Sequence, residues 1–139
     1  MIDLIGFWTS GIVTYAHTED EGIYFDPDGT GFITWSNLFV ATFDTFTWSI
    51  DKGLLSLKGI RKYILYHGDV SDARPSEINE CSLMVKRIKS KSLDDDIIDS
   101  LVFPETSDLF TKKVLGLICD DIWGIEHFND LKKILSGDH

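Results

Sequence analysis

The sequence predicts an α+β domain: a mainly antiparallel β-meander followed by C-terminal helices. Three observations carry that expectation. Over residues 1–91, short runs of β-branched and aromatic residues recur between turns rich in glycine and aspartate. In one of these runs Phe46, Trp48 and Ile50 alternate with Thr47 and Ser49, the period of two of a half-buried strand. From Ser92 onward the apolar spacing becomes helical. The 139 residues read as one domain, with the meander over 1–91 and a mostly helical part over 92–139.

Taken in order, Asp3 to Tyr15 is a β-branched and aromatic stretch with Gly6 and Gly11 as bends. His17 to Gly22 is a polar turn and Ile23 to Phe25 a strand. Pro27-Asp28-Gly29-Thr30-Gly31 then supplies two glycines for positive-φ turn geometry. Strands are expected at Phe32–Trp35, Leu38–Phe43 and Phe46–Ile50. Past the turn Asp51-Lys52-Gly53, Leu54–Lys58 and Lys62–Tyr66 form a pair across Gly59. His67 to Asn79 reads as an exposed loop. In Cys81–Lys89, Leu83, Val85 and Arg87 alternate with Ser82, Met84, Lys86 and Ile88.

Ser92 before Asp94, Asp95 and Asp96 resembles a helix N-terminus, a hydroxyl cap with carboxylates at the positive end of the dipole. Ile97, Ile98, Leu101 and Val102 continue it at helical spacing, with Pro104 beyond the stop. A second segment, capped by Ser107, carries Phe110, Val114, Leu117, Ile118 and Ile122. Gly116 keeps a strand over Val114–Cys119 open as the alternative. Phe128, Leu131 and Leu135 form the apolar stripe of a last helix, with Gly137 at its end.

Hydrophobic residues make up 43% and charged residues 26% of the chain, the composition of a folded globular protein. No apolar run approaches the roughly 20 residues that span a bilayer, so no membrane partner is expected. The opening MIDLIGFWTSGIV alternates like a strand and has no cationic leader, which points to the cytoplasm. Cys81 and Cys119 lack metal-ligand spacing. In a reducing compartment they read as buried thiols, with a disulfide as the alternative.

The net charge of −10 is unevenly spread. Residues 1–50 hold seven acidic side chains and no Lys or Arg, 51–91 nine basic against five acidic, and 92–139 eleven acidic against four basic. Such a chain is mismatched to a phosphate backbone, and a basic protein is the better partner. The acidic runs Glu19-Asp20-Glu21, Asp94-Asp95-Asp96 and Asp120-Asp121 are then the candidate docking residues. Their other reading is as solvated turns that keep the protein soluble.

Asp26-Pro-Asp28-Gly-Thr30-Gly31-Phe-Ile33-Thr-Trp-Ser-Asn37 can be laid over a calcium-binding loop between helices, with Asp26, Asp28 and Thr30 as ligands. Asn37 stands where that loop needs a bidentate Glu, the flanks are strand formers, and no second loop pairs with it. The turn reading therefore leads, with no metal expected.

Gly6-Phe7-Trp8 resembles the G-x-W signature of lipocalin-like (calycin) barrels. Phe25 to Gly31, Phe46 to Ile50 and Gly53 to Leu57 are similar to segments of small bacterial lipocalin-like domains. The resemblance covers about residues 4–66 and implies strands curled into a barrel or half-barrel around an apolar interior. It also implies a small apolar ligand contacted by Phe39, Phe43, Phe46, Trp48 and Tyr63. The alternative is that these aromatics simply fill a core.

His17, His67, His127 and His139 sit in no recognisable nucleophile or metal context, and no glycine loop cradles a phosphate. The expectation is a non-enzymatic binding protein without a cofactor. Its concrete form is an acidic cytosolic module, such as an immunity protein that neutralises a basic toxin like a nuclease. The second form is an intracellular carrier of a small apolar ligand.

Overall fold

The computed structural model describes residues 3–10, 20–37, 39–66, 69–104, 109–110 and 114–119. Ten strands lie among them: β1 (Gly6–Thr9), β2 (Asp20–Phe25), β3 (Thr30–Ser36), β4 (Val40–Asp51) and β5 (Leu54–Tyr66). The rest are β6 (Asp69–Pro75), β7 (Cys81–Met84), β8 (Lys86–Lys91), β9 (Ile97–Val102) and β10 (Val114–Cys119). All pairings are antiparallel, in the order β6-β5-β4-β3-β2-β1-β10-β9-β8, with β7 also on β5.

The β2–β3 turn is where local chemistry placed it. Between β2 and β3, Asp26 O accepts from Gly29 N at 3.2 Å and Asp26 N donates to Thr30 O at 2.8 Å. Pro27 suits the first central position, and Gly29 takes the positive φ of 90° that a side chain would resist. At the other end of β3, Asn37 Oδ1 accepts from Phe39 N and Val40 N at 2.9 and 2.8 Å, an aspartate-like cap on the next turn.

The core lies on the inner face of the curled sheet. Trp8, Ile23, Phe25, Phe46, Leu55, Leu57, Leu101 and Leu115 come from six strands and are all essentially buried. Aromatic edges interlock there: Phe25 meets Trp48 at 5.1 Å between centroids and 73° between planes, and Phe46 at 5.9 Å. Trp8 is fully buried; its indole N–H donates to Leu4 O at 2.9 Å, and the Arg87 guanidinium lies 5.2 Å from its ring centroid. A second cluster, Phe7, Tyr24, Phe32, Phe43 and Leu65, occupies the opposite face of β1 to β5.

The C-terminal helices of the expected α+β fold are not found: the described residues form an all-β sheet with no α-helix. Ser92 does cap, its Oγ accepting from Asp94 N and Asp96 N at 3.2 Å each, but what it caps is a turn. Asp95 takes a positive φ of 64° there and turns the chain back. Ile97–Val102 then pairs with β8 on one side and β10 on the other. β-branched Ile97 and Ile98 suit that ladder, and two flanking partners outweigh an accidental helical spacing. Val114–Cys119, left open between helix and strand, is a strand paired with β1. The stripe from Phe128 to Leu135 lies outside the described residues.

Of the expected barrel or half-barrel, the closed form is not found. β6 and β8 end the strand path unpaired with each other, so the sheet is curled but not closed. The chain itself spans the gap: β7 on β5 leads through Val85 alone into β8 on β9, and Val85 N donates to Gly53 O at 3.0 Å. Three smaller expectations are corrected. Leu54–Lys58 and Lys62–Tyr66 are one strand, not a hairpin. Val40–Asp51 is likewise one strand, and His67–Asn79 contains β6.

Gly31 is required by close packing. A Cβ there would stand 2.1 Å from Tyr24 O and 2.8 Å from the Phe46 ring. Gly31→Ala should therefore destabilise the fold by about 1–3 kcal/mol, the usual range for overpacking. Urea unfolding followed by tryptophan fluorescence measures it; an unchanged midpoint would contradict the packing.

Candidate functional site

Among the described residues, polar side chains face a cavity where β3, β4 and β5 meet the crossing segment 76–80. Its origin is a register shift. Asp44 pairs with Lys62 while Phe46 pairs with Gly59, so β5 carries one residue more than β4 across that step. The hydroxyl of Thr45 takes up the disturbed backbone, donating to Arg61 O at 2.9 Å and accepting from Arg61 N at 3.2 Å. Because side chains alternate, the extra residue reverses which face of β5 each side chain takes. Leu55 and Leu57 point into the core before it, and Leu65 joins the opposite cluster after it. Lys62 is thereby brought to the inner face, directly across from Asp44.

Asp44 is 7% exposed. Its carboxylate accepts from Ser76 Oγ at 2.5 Å and from Glu77 N at 2.9 Å, and Ser76 Oγ in turn accepts from Ile78 N at 3.0 Å. One buried carboxylate thus ties the segment between β6 and β7 across β5. Gly59 permits the approach: a Cβ on it would stand 2.0 Å from Ser76 Oγ. Charge-assisted hydrogen bonds contribute about 1.5–3 kcal/mol each, while burying a carboxylate costs several. The network therefore sets position more than it adds stability.

Lys62 Nζ donates to Glu77 Oε2 at 2.6 Å. That hydrogen bond, then the ammonium charge, and more weakly the charge of Arg74, hold the Glu77 carboxyl below its usual range. The cavity beside this pair measures about 290 Å³. Ile33, Trp35, Ile78 and Leu109 supply its apolar walls; Thr42, Asp44, Lys62, Glu77, Asn79 and Cys81 its polar ones. Chemically, such a space can hold one small amphipathic group with a charged end.

The residues singled out from the sequence are dispersed. Of the five aromatics, Phe46 and Trp48 belong to the inner core, and Phe43 and Tyr63 to the opposite cluster. Phe39 is 60% exposed on the turn before β4. The five do not line a common cavity. Of the acidic runs, Asp94, Asp95 and Asp96 are exposed together on the β8–β9 turn. Glu21 is half-buried on β2, and Asp20 pairs through its backbone with Ser36. Glu19, Asp120, Asp121 and all four histidines lie outside the described residues.

Asp26, Asp28 and Thr30 are engaged with one another and with the turn. Asp26 Oδ1 accepts from the Tyr24 hydroxyl at 2.7 Å and Oδ2 from Asp28 N at 3.1 Å. Asp28 Oδ1 accepts from Thr30 N at 2.8 Å and Thr30 Oγ1 at 2.6 Å. A calcium loop would fold Asn37 back onto these ligands, whereas here β3, which begins at Thr30 itself, runs straight away from them to Ser36, roughly 20 Å of strand. Among the described residues no three His, Cys, Asp or Glu side chains are grouped to hold a metal ion.

The site itself was missed in the sequence because Asp44, Lys62 and Glu77 are far apart along the chain. The available signal was the break in alternation around Gly59, where odd-numbered Leu55 and Leu57 give way to even-numbered Lys62 and Ile64.

The Thr30 hydroxyl, followed by the Thr30 backbone N–H and the Asp26 contact, holds the Asp28 carboxyl below its ordinary value of 3.8. A depressed folded value stabilises the fold above pH 3.8 and loses that contribution as pH falls through the lower folded value. Thr30→Val should move the Asp28 titration up toward 3.8, read by carboxyl carbon NMR; an unmoved midpoint would refute this assignment.

Comparison of the chain with protein-family models, with curated proteins and with solved structures finds no match.

Proposed function

We propose that this chain is a non-enzymatic, cytoplasmic protein-binding module that docks a basic protein. In its most concrete form it is an immunity protein that occupies the cationic surface of a toxin such as a nuclease. The observation that carries the reading is the distribution of charge over the strand order. β1, β2, β3 and β4 are consecutive neighbours in the sheet, and the whole of residues 1–50 contains no Lys or Arg. The nine basic residues of 51–91 fall instead on β5 to β8 and their turns. A chain of net charge −10 thus has one cation-free wall of strands, edged by exposed Asp28 and Asp51. Such a wall attracts a basic surface at long range and repels an acidic one.

The resemblance to lipocalin-like domains supports a second reading, a carrier of a small apolar ligand, and the 290 Å³ cavity is the observation in its favour. Interlocking aromatics in the core favour protein binding instead. No helix among the described residues is long and apolar enough to cross a membrane.

Native mass spectrometry of the chain purified from its own host at low ionic strength tests the choice. A retained basic protein is expected, and its affinity for the purified chain should fall at least about tenfold between roughly 50 and 500 mM salt. Retention of a small apolar molecule in place of a protein, or an affinity indifferent to salt, would overturn the reading.

A further inference from the structure

The cavity at Asp44 holds three fixed charges, and they do not balance. Asp44 and Glu77 are carboxylates and Lys62 is the one ammonium among the described lining residues. Lys62 is already compensated by Glu77 at 2.6 Å, while Asp44 is held by a hydroxyl and a backbone N–H, both uncharged donors. An anionic guest would face two carboxylates and would have to displace Glu77 from Lys62. A cationic guest meets Asp44 unneutralised, inside a chain of net charge −10.

Shape agrees with charge. At 290 Å³ the space suits one long side chain, not a lipid tail or a folded loop. Ile33, Ile78 and Leu109 offer an apolar path for an aliphatic stem, and Trp35 lines the same cavity with an aromatic side chain, the type that attracts a guanidinium or ammonium. Exposed Asn79 and Glu77, whose side chain is 60% exposed, mark the mouth. The cavity is also built from the inner side of β3 and β4, two strands of the cation-free wall.

Building on the reading of a basic protein partner, we infer that this cavity is the pocket for one of its basic side chains. An arginine or lysine threads past Trp35 to Asp44 as an anchor of the interface. Arginine is the better fit, because its flat guanidinium stacks on an aromatic ring while donating in plane to a carboxylate. Buried arginine anchors of this kind dominate many protein interfaces.

The test needs no partner. The intact chain, labelled with nitrogen-15, is titrated at constant ionic strength with N-acetyl-arginine methylamide, with the lysine analogue, and with N-acetyl-glutamate methylamide. The two cationic probes are expected to shift the Trp35 indole N–H and the Ile78 amide with millimolar midpoints, and the acidic probe to leave both in place. Glu77→Gln, a surface change that leaves Asp44 and its donors intact, should weaken the arginine midpoint about three- to tenfold by making the cavity neutral. Signals that ignore both cationic probes, that respond equally to the acidic one, or that are indifferent to Glu77→Gln overturn the inference. A chain that retains a basic protein yet ignores the arginine probe loses this pocket and keeps the docking reading. One that binds the probe yet retains no protein keeps a cation pocket and loses the docking reading.

Discussion

One extra residue in β5 decides how charge is arranged inside this protein. Opposite the step from Asp44 to Phe46, β5 advances from Lys62 to Gly59, and Thr45 closes the irregularity with its hydroxyl. Without that residue, the register that pairs Phe46 with Gly59 would set Arg61 against Asp44, and alternation would turn Lys62 away from the interior. With it, a carboxylate and an ammonium share the inner face, and the segment from Ser76 to Ile78 is pulled across β5 to satisfy the carboxylate. The strand ends, the cavity and the route into β7 all follow from this arrangement.

The same crossing explains how an unclosed sheet encloses a core. β6 and β7 lie on one edge of β5, separated by the segment that Asp44 anchors. β7 then leads through Val85 into β8, which pairs with β9. At that end Arg87 makes three contacts. It donates to Asp3 O at 2.6 Å, pairs with Asp99 at 2.6 Å, and lies over the Trp8 ring. A ladder that does not close is thus held by a covalent connection and by side-chain ties, around a core whose aromatics leave little room for a large guest.

Charge has a similar double character. The β8–β9 pair carries Lys89 and Arg87 against Asp99, whose carboxyl they hold below its ordinary range, Lys89 most strongly. Pairs as accessible as these contribute little to stability. Lysines on a strand at the end of the sheet do discourage edge-to-edge pairing with another chain. Of the nine cations in residues 51–91, Lys62, Arg74, Arg87 and Lys89 are paired with the protein's own carboxylates.

By itself the sequence determined the turns and the faces of several strands. Asp26 to Thr30 acts through hydrogen bonds spanning four residues or fewer, so its chemistry is readable without the fold, whereas Ser92 caps just as locally but a turn in place of the expected helix. Phe46, Trp48 and Ile50 likewise show their inward face by alternation alone. The tertiary structure decided everything that depends on a distant partner. Ile97–Val102 became a strand because β8 and β10 flank it, against its helical spacing. β6 formed from a polar stretch because β5 offered an edge. Asp44, Lys62 and Glu77 came together through a register shift that no local period encodes. Turn geometry is settled within a few residues; strand pairing and register are settled by ladders between residues as remote as Phe7 and Cys119.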